Sequence, residues 1–252
     1  MPVTPFERIW AFDRRLQEQS APRARRFDRG VALYDDSLPR VYDANFVFFD
    51  LDVGGLSVDE AERLAESLQG DLPHRKLVLP ESGEEVARGL VARGWSVSRI
   101  AAMEYAGPAE PDAPAAARAE LVDPRAVRAA REGALVGRDG ELQRQVAQYT
   151  ENLARANDGR VFAAFGDGNV AAFCAYFEQD GIGEIDEVTT LDRFRKRGLG
   201  TAVVQAALLT SLAAGNELTF LNADEDDWPK RWYERLGFRT VGRSFEVYKT
   251  AF

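Results

Sequence analysis

The chain of 252 residues carries 32 Lys+Arg against 41 Asp+Glu, a net charge of −9, with 45% apolar and 29% charged residues. That balance describes one large or two small packed domains and excludes disordered, collagenous and coiled-coil classes. The acidic surplus argues against a nucleic-acid binder, which concentrates basic charge on one face. A single cysteine, Cys174, and a single histidine, His74, leave no internal disulfide and no zinc-type ligand set, so no metal is expected. The amino terminus MPVTPFERIW has neither a basic stretch nor an apolar run. No secretory signal is expected there, and a reducing cytoplasm fits best.

Residues 5–19 place Phe6, Ile9, Trp10, Phe12 and Leu16 near one face at helical spacing and predict an opening amphipathic helix. The arginines from Arg14 to Arg29 read as a solvated helix end and loop rather than an anion site. From Val31, short β-like runs (VALY, NFVFFDLDV) give way to a helix at SVDEAERLAESLQG, where Ser57 and Glu60 have capping-box spacing. His74 falls in a loop. A strand (KLVLP), a second helix (GEEVARGLVARG) and another strand (SVSRIAAMEYAG) complete a small α/β unit. Residues 107–120, rich in proline and alanine, offer little to pack and predict a domain boundary: domains at 1–107 and 116–252, joined by a linker at 108–115.

The second half opens with helices around Pro124–Glu132 and Gly140–Ala156. Strands at Val161–Phe165 and Val170–Phe177 flank Gly166-Asp167-Gly168-Asn169, a hairpin turn. A third strand, Glu184–Thr190, leads through a basic glycine loop into a helix at Gly200–Ala213; a strand (ELTFLN), an acidic loop (ADEDD), a short helix (WPKRWYERL) and closing strands through Thr250 follow. Gly198–Asn216 holds no charged residue and approaches the roughly 20 residues that span a bilayer. Gln205, Thr210, Ser211 and its glycines make a helix packed on a sheet the expected structure, not a membrane span.

The chemistry concentrates in EIDEVTTLDRFRKRGLGTAVV. Here a strand delivers Arg195-Lys196-Arg197-Gly198-Leu199-Gly200 to the start of a helix, where glycines permit close backbone approach, first-turn amides lack helical partners and three adjacent cations add charge. The physical product is a pyrophosphate cradle. It lacks the Gly-Lys-Ser/Thr ending of a Walker loop and the third glycine of a dinucleotide fingerprint.

Arg195, Gly198 and Gly200 match the Arg/Gln-x-x-Gly-x-Gly/Ala loop, and Tyr233-Glu234-Arg235-Leu236-Gly237-Phe238 matches the Tyr-x-x-Leu-Gly-Phe signature, of the GNAT (Gcn5-related N-acetyltransferase) superfamily, which the chain resembles over about residues 116–252. The resemblance implies an α/β (α+β) GNAT fold with a mixed central sheet flanked by helices. It further implies acetyl-CoA as cosubstrate and direct attack of an amine on the thioester in a ternary complex. Arg195, Lys196, Arg197, Gly198, Leu199, Gly200 and Thr201 would hold the pyrophosphate. The backbone of Val188, Thr189 and Thr190 would line the pantetheine arm, and Asn222 would add a polar contact. Tyr233 would protonate the leaving thiolate. The general base stays open among Glu184, Asp186, Glu187 and solvent: on a regular strand Glu184 and Asp186 share one face and Glu187 takes the other.

Asp224, Glu225, Asp226 and Asp227 precede the Tyr233 helix. Asp227 reads as an N-cap, and the run as a negative funnel that would favour a cationic small-molecule amine. Residues 44–106 repeat the strand, helix, strand, helix, strand order of the carboxy-terminal half, and Leu90–Trp95 loosely resembles Tyr233–Phe238, while Asp52-Val53-Gly54-Gly55 lacks the cations and spacing of the loop. A degenerate GNAT-like half-copy follows, walling the acceptor cleft or pairing chains into a homodimer. The rival reading is a non-catalytic acyl-CoA-binding sensor.

Overall fold

The computed structural model describes residues 3–108, 111, 113–135 and 137–250; Met1 and Pro2 of the amino-terminal stretch and three positions of the expected linker, Ala109, Glu110 and Asp112, lie outside the described residues. In chain order the helices are α1 (Pro5–Ser20), α2 (Val58–Gln69), α3 (Glu84–Ala92), α4 (Arg128–Ala134), α5 (Gly140–Ala156), α6 (Leu199–Ala213) and α7 (Trp228–Arg235). The strands are β1 (Arg23–Phe27), β2 (Gly30–Tyr34), β3 (Phe46–Phe49), β4 (His74–Pro80), β5 (Ser96–Tyr105), β6 (Ala119–Val122), β7 (Arg160–Gly166), β8 (Asn169–Gln179), β9 (Ile182–Thr190), β10 (Leu218–Asp224) and β11 (Phe238–Thr250).

The chain forms two compact units. The first takes residues up to Met103 together with Asn222–Arg235 and the residues from Arg239; the second takes Glu104–Leu221 and Leu236–Phe238. This division departs from the expected 1–107 and 116–252, and strand pairing is the reason. Ser244–Thr250 of β11 runs antiparallel to Pro80–His74 of β4, so the last strand completes the first unit's sheet.

In the first unit the strands lie in the order β1-β2-β3-β4-β11-β5. Ala32, Tyr34, Val47, Phe49, Leu77 and Leu79 pack under Ala61, Ala65 and Leu68 of α2 and Val86, Ala87 and Leu90 of α3. Their sequence neighbours Val31, Leu33, Phe46, Phe48 and Val78 pack on Trp10 of α1. The period of two thus sends alternate side chains into cores on both faces, which is why these strands read as unbroken apolar runs. The helix starts follow local rules. Thr4 Oγ1 accepts from Glu7 N while Glu7 Oε2 accepts from Thr4 N at 2.6 Å, a full capping box, and Ser57 Oγ accepts from Glu60 N at 3.2 Å.

Three features of this unit differ from the sequence expectation. The arginine-rich stretch is a strand, β1, paired in register with β2, with Arg23 bound to Asp36 and Arg26 to Glu18. His74 begins β4 rather than a loop and is fully buried, stacked on Tyr42 with ring centroids 3.9 Å apart. One strand, β11, replaces the expected closing strands. Lys76 is buried in β4, and burial alone would depress its pKa, but the Asp43 and Glu246 carboxylates it touches raise it above the ordinary value.

In the second unit the order is β10-β9-β8-β7-β6. The expected hairpin forms, with Asp167 (φ 53°) and Gly168 (φ 76°) as the left-handed pair between β7 and β8. Strand β6, which the sequence reading does not expect, starts at the end of the 107–120 boundary segment, beyond the expected 108–115 linker, and pairs antiparallel with β7. Val127 and Ala130 pack on Val161, Ala163 and Phe173. Helix α6 buries Leu199, Ala202, Val203, Val204, Ala207, Leu208 and Ser211. It also carries a short 3-10 turn at Pro114–Arg118, whose Ala115 N donates to Gln205 Oε1 at 3.2 Å. A helix covered in this way has no need of a polar stripe, which explains its lack of charge. Among the described residues no helix is long and apolar enough to cross a membrane.

In both halves a parallel strand pair brackets a helix: β3 and β4 around α2, β9 and β10 around α6.

Candidate functional site

The basic loop lies wholly in the second unit. After β9 a 3-10 turn at Asp192–Phe194 buries the Phe194 ring, with the guanidiniums of Arg193 and Arg197 over it at 4.8 and 5.3 Å. Arg195 is tied back to Asp192 at 2.9 Å. Lys196 takes a left-handed φ of 60°, and Gly198, the N-cap of α6, takes φ 75°. Only glycine adopts that conformation freely.

The first helical bond of α6 runs from Ala202 N to Gly198 O at 3.1 Å. The amides of Leu199, Gly200 and Thr201 therefore have no helical carbonyl to donate to, the N-cap has no side chain to accept from them, and the first turn holds no acid. Amides, helix dipole and the exposed Arg195, Lys196 and Arg197 all favour a polyphosphate anion at this point. The corresponding loop of the first unit is different. Gly54 N donates to Asp52 Oδ1 at 2.8 Å, and Asp59 and Glu60 occupy the first turn of α2. That loop is closed by its own carboxylate.

Strand β9 carries the three acids in three environments. Glu184 is buried, opposite Phe177 of β8 and Phe220 of β10, and Asp186 is half-buried opposite Ala175. The register with β8 then shifts: Phe173 faces Thr189 while Ala175 faces Asp186, so β9 carries an extra residue. Glu187 at this bulge takes a left-handed φ of 53°. The alternation expected of a regular strand thus holds only as far as Asp186.

Glu187 is gripped by Arg131 of α4, Nε to Oε1 at 2.5 Å and Nη2 to Oε2 at 2.6 Å. Burial raises the Glu187 pKa above the ordinary value, with Arg131 opposing. Sequence reasoning missed Arg131, whose only signal was a cation on a short helix of small residues. Beyond the bulge, Val188, Thr189 and Thr190 are half-buried. Cys174 is buried, its thiol donating to Val203 O at 3.4 Å, and burial raises its pKa, which disfavours the thiolate.

Tyr233 and Asn222 belong to the first unit. Tyr233 is buried on α7, its ring 4.8 Å from that of Trp232. Asn222 Nδ2 donates to Asp13 Oδ2 of α1 at 3.2 Å. Two acids of the run are ion-paired and the other two accept backbone N–H groups. Glu225 accepts from Arg243 Nε at 2.7 and 2.9 Å, Asp226 binds the Arg99 fork, and Asp224 Oδ1 accepts from Asp226 N at 2.9 Å. Asp227 Oδ1 accepts from Trp228 N, the first helical amide, at 2.7 Å. Among the described residues no group of three or more His, Cys, Asp or Glu is placed to hold a metal ion.

Comparison with known proteins agrees with this geometry. Residues 108–238 match the Acetyltransferase (GNAT) family. An uncharacterized N-acetyltransferase, CgeE, of Bacillus subtilis (strain 168) is 31% identical over 70 residues, which is 28% of this chain and only 27% of that relative's length. Among solved structures, a GCN5-related N-acetyltransferase from Kribbella flavida has a TM-score of 0.64 at 20% identity, covering 98% of this chain and 96% of that one. A tandem GNAT protein from the clavulanic acid biosynthesis pathway has a TM-score of 0.58 at 16% identity, covering 93% and 87%. The structural likenesses bear on fold; the family match spans the basic loop, the bulged strand and the Tyr233 signature. The chain belongs to the GNAT acetyltransferase family.

Proposed function

We propose that the chain is an acetyl-CoA-dependent N-acetyltransferase of the reducing cytoplasm, acting on a primary amine of a small molecule by direct attack in a ternary complex. The observation that carries this reading is the start of α6: a left-handed glycine N-cap, no acid in the first turn, and three cations beside amides that have no helical acceptor. In this reading the amides and cations from Arg195 to Thr201 hold the pyrophosphate of acetyl-CoA, and the backbone from Val188 to Thr190 follows the pantetheine arm. The extra residue of the β9 bulge interrupts the ladder and so offers a backbone N–H to the developing oxyanion.

The acceptor arrives as an ammonium ion. Asp186 takes a proton from it, directly or through water, and the freed nitrogen attacks the thioester carbonyl carbon. The C–N bond forms, the C–S bond breaks, and the thiolate takes a proton from the Tyr233 hydroxyl; the nitrogen gives up its second proton, which returns through solvent to the Tyr233 phenolate. Tyr233 enters on its match to the family signature. Glu187, with both oxygens held by Arg131, acts as a positioning residue for the bulge. The first half acts as a degenerate GNAT-like copy without a phosphate site; the carboxylates of Asp52, Asp59 and Glu60 at its loop and helix start support this.

Thiol release from acetyl-CoA with a panel of pooled amines, with mass spectrometry of the amines, tests the reading. The expected result is one acetylated amine per thiol released, with Asp186→Asn lowering kcat more than Glu184→Gln. Absence of turnover with every amine, despite tight CoA binding, would favour a sensor.

A further inference from the structure

The loop has a neighbour that the family signature does not include. Arg118 ends the 3-10 turn that lies on α6, is solvent-exposed, and donates from Nη1 to the carbonyl of Arg197 at 3.0 Å. The same Nη1 lies 3.3 Å from where a Cβ on Gly198 would stand. Its side chain is therefore held against the N-cap of the helix that carries the proposed phosphate site.

This placement is electrostatically unfavourable by itself. A helix N-terminus bears partial positive charge and disfavours cations within the first turn. Arg118 nevertheless joins Arg195, Lys196 and Arg197 there. Arg195 has Asp192 as a counter-ion, whereas no ion pair to Arg118 forms among the described residues. A guanidinium has five N–H donors in a fork that matches phosphate oxygens, and the carbonyl of Arg197 uses a single nitrogen of it. An anion with at least two charges would satisfy the fork, the helix end and the cluster together.

We propose that Arg118 is a side-chain anchor for the pyrophosphate of CoA, a role that rests on the reading of the α6 loop given above. The backbone amides of the loop and the Arg118 fork grip the anion from two chain segments. Because the 3-10 turn is tied to α6 through Ala115 and Gln205, the cation stands ready before the cosubstrate arrives.

The test is calorimetric titration of the full chain and of Arg118→Gln and Arg118→Lys with CoA and with dephospho-CoA, alongside melting temperatures. Arg118→Gln is expected to weaken both ligands about equally, by roughly 10-fold, with an unchanged melting temperature, and Arg118→Lys to recover part of the loss. Added salt is expected to shrink the difference between parent and Arg118→Gln. Affinities of Arg118→Gln within twofold of the parent would overturn the proposal. So would a loss confined to CoA, which would move Arg118 to the 3′-phosphate, and so would an equal loss in Arg118→Lys, which would reduce it to a brace for the Arg197 carbonyl. A parent chain that binds neither ligand would instead overturn the reading of the loop itself, and the proposal with it.

Discussion

Arg131 holds both carboxylate oxygens of Glu187 at 2.5 and 2.6 Å, with side chains only 3% and 16% exposed. The pair joins α4 to the residue of β9 that takes a positive φ. A left-handed non-glycine residue costs about 1–3 kcal/mol and persists only where its surroundings over-determine it. The Arg131 fork supplies that constraint.

Removing one partner from a buried pair leaves the other charge stranded, so Arg131→Met should destabilise the fold by about 3–5 kcal/mol. Glu187→Gln likewise strands the Arg131 guanidinium but keeps an oxygen acceptor for one N–H of the fork, which should offset part of that cost. Chemical denaturation of both variants checks the order; a Glu187→Gln loss equal to that of Arg131→Met would mean that charge rather than hydrogen bonding holds the bulge.

The same pair has a pH signature. Burial raises the Glu187 pKa, so the folded chain binds this proton more tightly than the unfolded one. Its contribution to stability is greatest below the ordinary glutamate pKa and declines as pH rises through the folded value. The stability of the parent relative to Glu187→Gln should therefore fall with rising pH across that window. A difference that grows with pH would show that Arg131 dominates.

Tyr233→Phe preserves a buried ring and deletes one hydroxyl. If the hydroxyl protonates the thiolate, kcat should fall roughly 10-fold to 10³-fold, about 1.4–4 kcal/mol of transition-state stabilisation, with CoA affinity little changed. An unchanged kcat under conditions where chemistry limits turnover would transfer that role to water.

Because Glu225 and Asp226 are held by Arg243 and Arg99, their neutral variants should act on the fold rather than on the substrate. Glu225→Gln and Asp226→Asn are expected to lower the melting temperature and leave KM for a cationic amine as it was. A rise in KM at constant melting temperature would favour the negative funnel.

Much of this was legible in the sequence, and the parts that were not share a cause. The α6 loop, the β7–β8 hairpin and the amphipathic helices announce themselves through spacing and turn chemistry within a few residues. Strand β1 does not, since RARRF has one large apolar side chain and is ordered by pairing with β2 and by carboxylates from α1 and the segment after β2. Strand β11 looked like part of the second domain because nothing local says that it will pair with β4. The acidic run looked free because Arg99 lies 127 residues from Asp226 in sequence. The bulge at Glu187 depends on Arg131, 56 residues upstream. Local chemistry is written locally; partner choice across the sheet is not.

The most direct test of the account is calorimetric titration of CoA into the parent and into Gly198→Asp. Aspartate tolerates the left-handed conformation better than most residues, so the variant should fold. Its Cβ would stand 3.3 Å from Arg118 Nη1, where the new carboxylate pairs with that guanidinium and places negative charge at the start of α6. It would reproduce the self-closed state of the Asp52 loop. The parent is expected to bind CoA and Gly198→Asp to lose at least about 30-fold in affinity, roughly 2 kcal/mol, with its fold intact by circular dichroism. A folded Gly198→Asp that binds CoA within threefold of the parent would contradict it.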